Sequence, residues 1–216
     1  MPFTSYYSQK SYNKIGAGRK DGILRLLGDY SGKKILDIGC GEGVLGKTLK
    51  EEKSVLIHGI EISDEAIKKA RTVLDEAYCA DIESEEKWPE EIRKQKYDFI
   101  ILTEVFEHLL FPEKLVHRLK DFSNKNTEII ITVPNVLFWK NRLSFFLGRF
   151  DYAEKGLMDR GHIHFFSWKS LQKILTDEGY TIIGTAHYFP TRFTRPFARF
   201  FPGLCAYQFI VKCRLV

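Results

Sequence analysis

The residues best suited to chemistry surround a glycine-rich turn near the start of the chain. A short apolar run over residues 35–38 predicts a buried strand, and Asp37 interrupts that run. A Gly-x-Gly-x-Gly pattern follows at once, formed by Gly39, Gly41 and Gly43. Residues 44–50 then predict a helix. A strand, a glycine turn and a helix N-terminus together form a cradle for a nucleotide-like ligand, because glycine lets the backbone approach it closely.

Two kinds of ligand use such a turn, and the spacing favours one of them. A Gly-x-Gly-x-x-Gly pattern typical of dinucleotide sites begins at Gly41, but in that fingerprint the first glycine directly follows the strand. That position is Gly39 here, and the third glycine would fall on Val44. A carboxylate at Asp37 would also repel a pyrophosphate, whereas it suits a cationic or amine-bearing ligand.

Two more acids follow predicted strands. Glu61 ends an apolar run over 54–60, at the distance from the glycines where an acid binds ribose hydroxyls. Asp81 ends a shorter run over 77–80. Because ligands of open α/β sheets bind at the carboxyl ends of the strands, we expect these acids and Asp37 to share one site.

A third group of polar residues follows the apolar strand predicted over 97–102. If residues 104–108 form a helical turn, Glu104, Glu107 and His108 share one face of it. His162 lies in a later segment that should cover this edge of the sheet. A histidine can remove a proton near neutral pH, so His108 and His162, with Glu104, are the predicted catalytic residues. His164 is a further candidate, and His58, within a strand, is expected to be a packed histidine.

The order of the predicted elements indicates an α/β protein with a parallel sheet covered on both faces. The predicted strands cover 35–38, 54–60, 77–80, 97–102, 127–133, 180–188 and 205–214. The predicted helices cover 21–27, 44–50, 64–75, 112–122, 136–147 and 168–178, with Ser167 as the cap of the last. We expect a single domain over 1–216. Residues 1–32 are polar and Tyr-rich, and residues 136–167 form a connection too long and too aromatic for a simple loop.

The charge and the cysteine content indicate the kind of partner and the cellular compartment to expect. The 216 residues carry a net charge of +5, a mild excess that favours anionic partners without identifying one. The four cysteines are scattered and form no Cys-x-x-Cys pair, which indicates reduced thiols and a cytoplasmic setting. We recognise no signal peptide and no apolar run of transmembrane length.

The stretch Ile-Leu-Asp-Ile-Gly-Cys-Gly-Glu-Gly over 35–43 resembles motif I of the class I S-adenosylmethionine (SAM)-dependent methyltransferases. That resemblance implies a Rossmann-like, seven-stranded, mostly parallel sheet of order 3-2-1-4-5-7-6 with helices on both faces. It implies SAM as the cofactor and S-adenosylhomocysteine (SAH) as its product. It also implies that residues 1–32 form a cap, with Tyr6, Tyr7 and Tyr12 closing on SAM, and that 136–167 is an insertion on the substrate side. The cofactor-binding residues would be Asp37, Gly39, Cys40, Gly41, Glu61, Ile62, Asp81, Ile82 and Thr103.

The Asp-Arg-x-His-x-x-Phe-Phe segment in the 136–167 insertion resembles the type 11/23-like branch of the family, associated with methionine-metabolism accessory proteins and cell-envelope glycan synthesis. We therefore expect O-methylation of a small-molecule, glycan or lipid-linked hydroxyl. One alternative resembles metal-dependent RNA 3′-terminal methyltransferases, in which a divalent metal would be held by Glu104, Glu107, His108 and His162. Nucleic acid is not the expected partner, because no RNA-binding extension is recognisable and the basic excess is modest. The other alternative is a non-catalytic SAM-binding accessory subunit.

Aromatic and cationic residues alternate in two stretches of the chain. The first holds Phe138, Trp139, Phe145, Phe146 and Phe150 among Lys140, Arg142 and Arg149. The second holds Phe193, Phe197, Phe200 and Phe201 among Arg192, Arg195 and Arg199. If the two stretches lie side by side, they form a rim suited to an anionic acceptor or to peripheral contact with an anionic membrane. The expected oligomeric state is a monomer or a homodimer.

Overall fold

The computed structural model describes residues 15–84, 88–190 and 200–216. Its centre is a seven-stranded sheet of order β3-β2-β1-β4-β5-β7-β6, which confirms the predicted order. Strands β1 to β5 run parallel, and β7 lies antiparallel between β5 and β6. The strands are β1 (Lys34–Ile38), β2 (Leu56–Glu61), β3 (Glu76–Cys79), β4 (Phe99–Thr103), β5 (Glu128–Pro134), β6 (Tyr180–Thr185) and β7 (Gln208–Leu215).

Helices cover both faces of the sheet. They are α1 (Ala17–Leu27), α2 (Val44–Glu52), α3 (Asp64–Ala70), α4 (Glu90–Arg93), α5 (Pro112–Phe122), α6 (Trp139–Phe146), α7 (Trp168–Asp177) and α8 (Pro202–Cys205), with a 3₁₀ helix over Phe106–His108. Successive strand residues point to opposite faces, so Ile35 and Leu36 enter different cores. One core packs against α1, α2 and α3, and the other packs against α5 and α7. This double cover explains the continuous apolar run Ile-Ile-Ile in β5.

Two predicted helices are shorter in the structure. The helix expected over 64–75 ends at Ala70, because the Asp75 carboxylate accepts a 2.7 Å hydrogen bond from the Ile57 amide and holds the chain at the start of β2. The helix expected over 136–147 begins only at Trp139, after a turn in which the Asn135 side chain accepts from the Leu137 amide. The predicted Ser167 cap of α7 is confirmed as a capping box with Ser170.

The last two strands also differ in their bounds from the prediction. β6 ends at Thr185 rather than Tyr188, although Tyr188 still forms a single bridge to Gln208. The last strand starts at Gln208, because Pro202–Cys205 forms a short helix. Tyr6, Tyr7 and Tyr12 of the predicted cap lie outside the described residues, as do the arginines and phenylalanines between 191 and 199.

The 136–167 insertion leaves the sheet and returns to it at the end of β5. Asn135 and Phe166 form a parallel bridge, and the Val136 amide donates to the Phe166 carbonyl. The insertion therefore lies over the carboxyl end of the sheet, where the predicted site residues gather. No helix in the described part of the chain is long and apolar enough to cross a bilayer.

Candidate active site

A cavity of about 570 Å³ opens at the carboxyl ends of β1, β2 and β4. Its wall includes all nine residues predicted to bind the cofactor and all three predicted to be catalytic. α1 contributes Ile15 and Arg19 from the region of its start, the insertion contributes Gly156, Leu157 and Asp159, and β7 contributes Gln208. One cavity thus joins the end of the parallel sheet to the segment that covers it.

The glycine turn forms the floor of this cavity. Gly39, Gly41 and Gly43 all have positive φ, a conformation that side chains rarely tolerate. A Cβ on Gly39 would lie 2.6 Å from Cγ2 of Val105, so the turn is also packed too closely for a larger residue. The sequence pattern therefore reports a real backbone requirement.

Glu61 is held rigidly at the end of β2. Its Oε1 accepts from the amides of Ile62 and Ser63 at 2.9 and 3.0 Å, and its Oε2 accepts from the Gly41 amide at 3.0 Å. Burial raises the pKa of Glu61, and these three amide bonds lower it. A carboxylate has about four acceptor positions, so roughly one, on Oε2, remains for a ligand.

Asp37 is a second buried acid, only 3% exposed. Burial, followed by the nearby Glu61 carboxylate, raises the pKa of Asp37 to about 7. A cationic group in the cavity would stabilise its ionised form. The cavity thus has an electrostatic preference for a positively charged ligand, as the sequence predicted.

The other predicted cofactor residues fall into two kinds. Cys40 is buried, which raises the pKa of its thiol well above its usual value and leaves it a neutral packing group. Asp81 caps its own loop by accepting from the Glu83 amide at 3.0 Å, and Ile82 lies beside it, half-buried. The Thr103 hydroxyl is buried and has no hydrogen-bond partner in the described part of the chain, so it is available to a ligand.

Of the helical turn considered over 104–108, only Phe106–His108 is helical. Glu104 has φ +56°, because its amide donates to the Thr132 carbonyl and extends the pairing of β4 with β5 before the chain bends into the 3₁₀ helix. Glu104 therefore does not share a face with Glu107 and His108. Its carboxylate instead accepts from Arg19 at 2.7 Å and from the side-chain amide of Gln208.

Glu107 lies completely buried on the other side of this bend. Neither of its carboxyl oxygens has a hydrogen-bond partner among the described residues. Burial and the charge of Glu104 raise the pKa of Glu107 well above its usual value. The Glu107 carbonyl anchors the insertion, because it accepts from the amides of Ile163 and His164 at 2.9 and 3.1 Å.

That anchor brings the two predicted catalytic histidines together. The rings of His108 and His162 lie 4.9 Å apart, edge to face. Nδ1 of His108 donates to the Gly161 carbonyl, and Nδ1 of His162 donates to the Leu157 carbonyl. In each neutral ring the basic nitrogen is then Nε2.

The same region contains a candidate metal-binding group. Ligand atoms of Glu107, His108 and His162 all lie within 4.8 Å of one another. Glu104, the fourth residue of the predicted set, is outside this group. The unpartnered Glu107 carboxyl and two imidazoles are a donor set that fits a divalent transition metal.

The remaining histidine candidates do not face the cavity. His164 bonds to the Leu110 carbonyl through Nε2. His58 is a packed histidine, as expected, with Nδ1 3.0 Å from the Tyr97 hydroxyl.

Sequence reasoning missed several residues that line the cavity. Arg19, Tyr207 and Gln208 follow no recognisable motif, and Asp159, although it begins the Asp-Arg-x-His-x-x-Phe-Phe segment, was not predicted to be a site residue. Arg19 and Gln208 bond to each other across 189 positions of sequence, so no local pattern could have paired them.

Comparison with known proteins shows the family of this chain. A family model described as a methyltransferase domain matches residues 12–185. The ubiquinone biosynthesis O-methyltransferase of Photorhabdus laumondii is 32% identical over 112 residues, which cover 49% of this chain and 44% of that protein. The enzyme of the same description from Salmonella arizonae is 27% identical over 128 residues, covering 58% and 52%. The chain thus spans about half the length of these relatives.

Solved structures match almost the whole chain. Magnesium protoporphyrin IX methyltransferase from Synechocystis PCC 6803 with bound SAH superposes with a TM-score of 0.65 at 17% identity, covering 99% of this chain and 93% of that one. A SAM-dependent methyltransferase from Mesorhizobium loti gives 0.65 at 15% identity, covering 92% and 98%. At these identities the likeness establishes the fold. With the family model over most of its length, the chain belongs to the class I SAM-dependent methyltransferases, in the methyltransferase-domain branch that the sequence motifs indicated.

Proposed function

We propose that this chain transfers the methyl group of SAM to a hydroxyl of an acceptor that enters beneath the 136–167 insertion. The observation that carries the proposal is the single cavity lined both by the predicted SAM residues and by His108 and His162. The relatives named above are described as O-methyltransferases, which supports oxygen as the accepting atom.

The residues present fit SAM. The buried Asp37 and the remaining acceptor position of Glu61 suit its cationic and hydroxyl-bearing parts, and the Thr103 hydroxyl offers a further unpartnered group. SAM supplies a methyl group already activated by the sulfonium. The protein must therefore hold the acceptor in line with that methyl group and exclude water.

A hydroxyl acceptor must also lose a proton, and a histidine at the cavity suits that role. Nε2 of His108 or His162 can take the proton, because Nδ1 of each ring is occupied by a backbone carbonyl that also fixes the ring. Glu104 lines the same cavity, where its ion pair with Arg19 positions the start of α1. His108 is our first candidate for the base, since it lies in the 3₁₀ helix after β4, whose carboxyl end lines the same cavity as the glycine turn.

The test measures transfer and binding separately in a His108→Asn variant. Labelled SAM and a panel of hydroxylated sugars, phenols, lipids and short RNAs would identify an acceptor. We expect the variant to bind SAH with unchanged affinity and to lose about 10²- to 10⁴-fold in kcat. His164→Asn is the matched control, because that histidine bonds to the nearby Leu110 carbonyl but does not line the cavity. Equal rates in wild type and His108→Asn would contradict the role of His108.

A second candidate function follows from the Glu107, His108 and His162 group. A divalent metal held there could bind adjacent hydroxyls, such as those of a terminal ribose, and lower their pKa. Isothermal calorimetry with Mn²⁺ and with Zn²⁺, on wild type and Glu107→Gln, tests the site without needing an acceptor. Transfer that survives exhaustive chelation would exclude metal-dependent chemistry.

A third candidate is a SAM-binding subunit without transferase activity. A purified chain that binds SAM and SAH but methylates no acceptor in the panel would favour it over both enzymatic proposals.

A further inference from the structure

α6 presents its apolar face away from the protein. Trp139, Leu143, Phe146 and Leu147 share one face by their spacing, and Phe146 is 87% exposed. The opposite face, which contacts the protein, carries the half-buried Asn141, Ser144 and Phe145, so two of its three residues are polar. No residue of this helix is buried. A surface helix normally turns its apolar face toward the protein core and its polar face toward solvent. An apolar face that points outward therefore indicates a surface that binds a partner.

The exposed apolar surface continues toward the cavity. Phe150 stacks on Phe145 with ring centroids 5.3 Å apart, and it contacts Phe165 edge to face at 6.1 Å. The residue before Phe165, His164, bonds to the carbonyl of Leu110, which is 55% exposed and lines the cavity. The surface formed by 139–152, Phe165 and Leu110 therefore reaches the cavity wall.

The charges on this surface have one dominant sign. Within the insertion, Glu154 is paired with Arg160, and Asp159 is buried and bonded to the Gly161 amide. The remaining acid of the insertion is Asp151, and it is outnumbered by four exposed cations. Among the described residues, none of these four forms an ion pair: Lys140, Arg142, Arg149 and Lys155. Arg142 also donates to the Gly203 carbonyl, which places α6 beside the exposed Phe200 and Phe201.

We infer that this surface docks on an anionic lipid bilayer, with the apolar face of α6 in the interface and its basic residues at the lipid head groups. Exposed Trp, Phe and Leu side chains among Lys and Arg are the composition that binds such an interface. Docking would place the cavity wall at Leu110 next to the bilayer. An acceptor anchored in lipid could then enter the cavity without crossing water. This last step rests on the proposed function, whereas bilayer binding does not.

Vesicle sedimentation at low salt tests the inference directly. We expect wild type to bind vesicles of phosphatidylcholine with phosphatidylglycerol and to bind pure phosphatidylcholine much more weakly. Each cation near an anionic surface contributes about fivefold to the partition coefficient, so Lys140→Glu/Arg149→Glu should weaken binding at least about 25-fold. Phe146→Ser/Leu147→Ser should weaken it on the order of tenfold or more.

A matched control separates local charge from net charge. Lys94→Glu/Lys173→Glu changes the net charge equally, at an exposed residue just after α4 and another in α7. That variant should keep most of the vesicle binding. SAH binding by calorimetry should be unchanged in all three variants, which shows that the fold and the cofactor site are intact.

Tryptophan fluorescence reports the orientation. Trp139 is 36% exposed on the proposed face, whereas Trp88 is buried. Brominated lipids should quench wild-type fluorescence, and Trp139→Phe should remove most of that quenching. Wild type that ignores anionic vesicles at low salt would overturn the inference, even if methyl transfer to a soluble acceptor is found. An apolar face that instead forms a homodimer, lost in Phe146→Ser/Leu147→Ser, would overturn it as well.

Discussion

The prediction that Glu61 binds the cofactor can be tested by replacing one oxygen atom of its carboxylate with an NH₂ group. Three of the roughly four acceptor positions of its carboxylate are filled by the amides of Gly41, Ile62 and Ser63. In Glu61→Gln, the amide oxygen can still accept from Ile62 and Ser63. The NH₂ group then faces the Gly41 amide, and the negative charge toward the ligand is gone.

The expected loss is that of one charge-assisted hydrogen bond, about 1.5–3 kcal/mol. This corresponds to about 10- to 150-fold weaker binding. Isothermal titration calorimetry with SAH measures it. SAH is the suitable probe because it keeps the ribose hydroxyls of SAM and cannot react.

Glu65→Gln is the matched control, because it removes the same charge from an exposed position on the neighbouring helix. It should leave the affinity for SAH unchanged. Thermal unfolding of the free proteins shows whether Glu61→Gln remains folded. If the folded Glu61→Gln variant binds SAH within about threefold of wild type, the assignment of Glu61 to a charge-assisted bond is refuted.

Two further predictions concern the acid and the glycine turn beside it. With a pKa of about 7, folded Asp37 keeps its proton between pH ~4 and 7 while the unfolded chain releases it. The stability of the ligand-free protein should therefore fall as pH rises through this window, and Asp37→Asn should reduce that fall in urea unfolding at pH 5 and 8. Gly39→Ala should cost on the order of 1–3 kcal/mol, because its Cβ would meet Val105 in addition to adopting positive φ.

The controls for these two predictions come from the same chain. Gly148→Ala has a similar φ of +71° but no atom within 4 Å of the added Cβ, so it measures the backbone cost alone. Equal losses in the two alanine variants would show that packing against Val105 does not matter. Identical pH slopes for wild type and Asp37→Asn would contradict the raised pKa of Asp37.

Local sequence was sufficient for the strand, turn and helix around the glycines. Short apolar runs bounded by glycines indicate buried strands, and this signal depends only on residues that are close in sequence. The same holds for the acids at the ends of β1 and β2, whose positions follow from the strands themselves. All nine predicted cofactor residues consequently line the cavity.

Predictions failed where the chain forms hydrogen bonds with residues that are distant in sequence. Glu104 lies in a stretch with good helical spacing, yet its amide bonds to Thr132 in the neighbouring strand and the chain bends away. The helical pattern that includes Asp75 ends early for the same reason, because the Asp75 amide donates to the Ile57 carbonyl of β2 and its carboxylate accepts from the Ile57 amide. Long-range hydrogen bonds overrode local preference in both cases.

The sequence by itself determined the parallel sheet and the carboxylates and glycines at its edge, since Asp37, Glu61 and Asp81 lie at or near the ends of β1, β2 and β3. The strand order was predicted from the resemblance to class I methyltransferases. Only the tertiary structure decided which polar groups meet above it. The insertion returns to the Glu107 carbonyl and thereby sets His162 beside His108, more than fifty residues earlier. The tertiary structure also decided that the apolar face of α6 points outward. Backbone hydrogen bonds to the sheet and to the 3₁₀ helix hold the insertion, and no residue of α6 is buried.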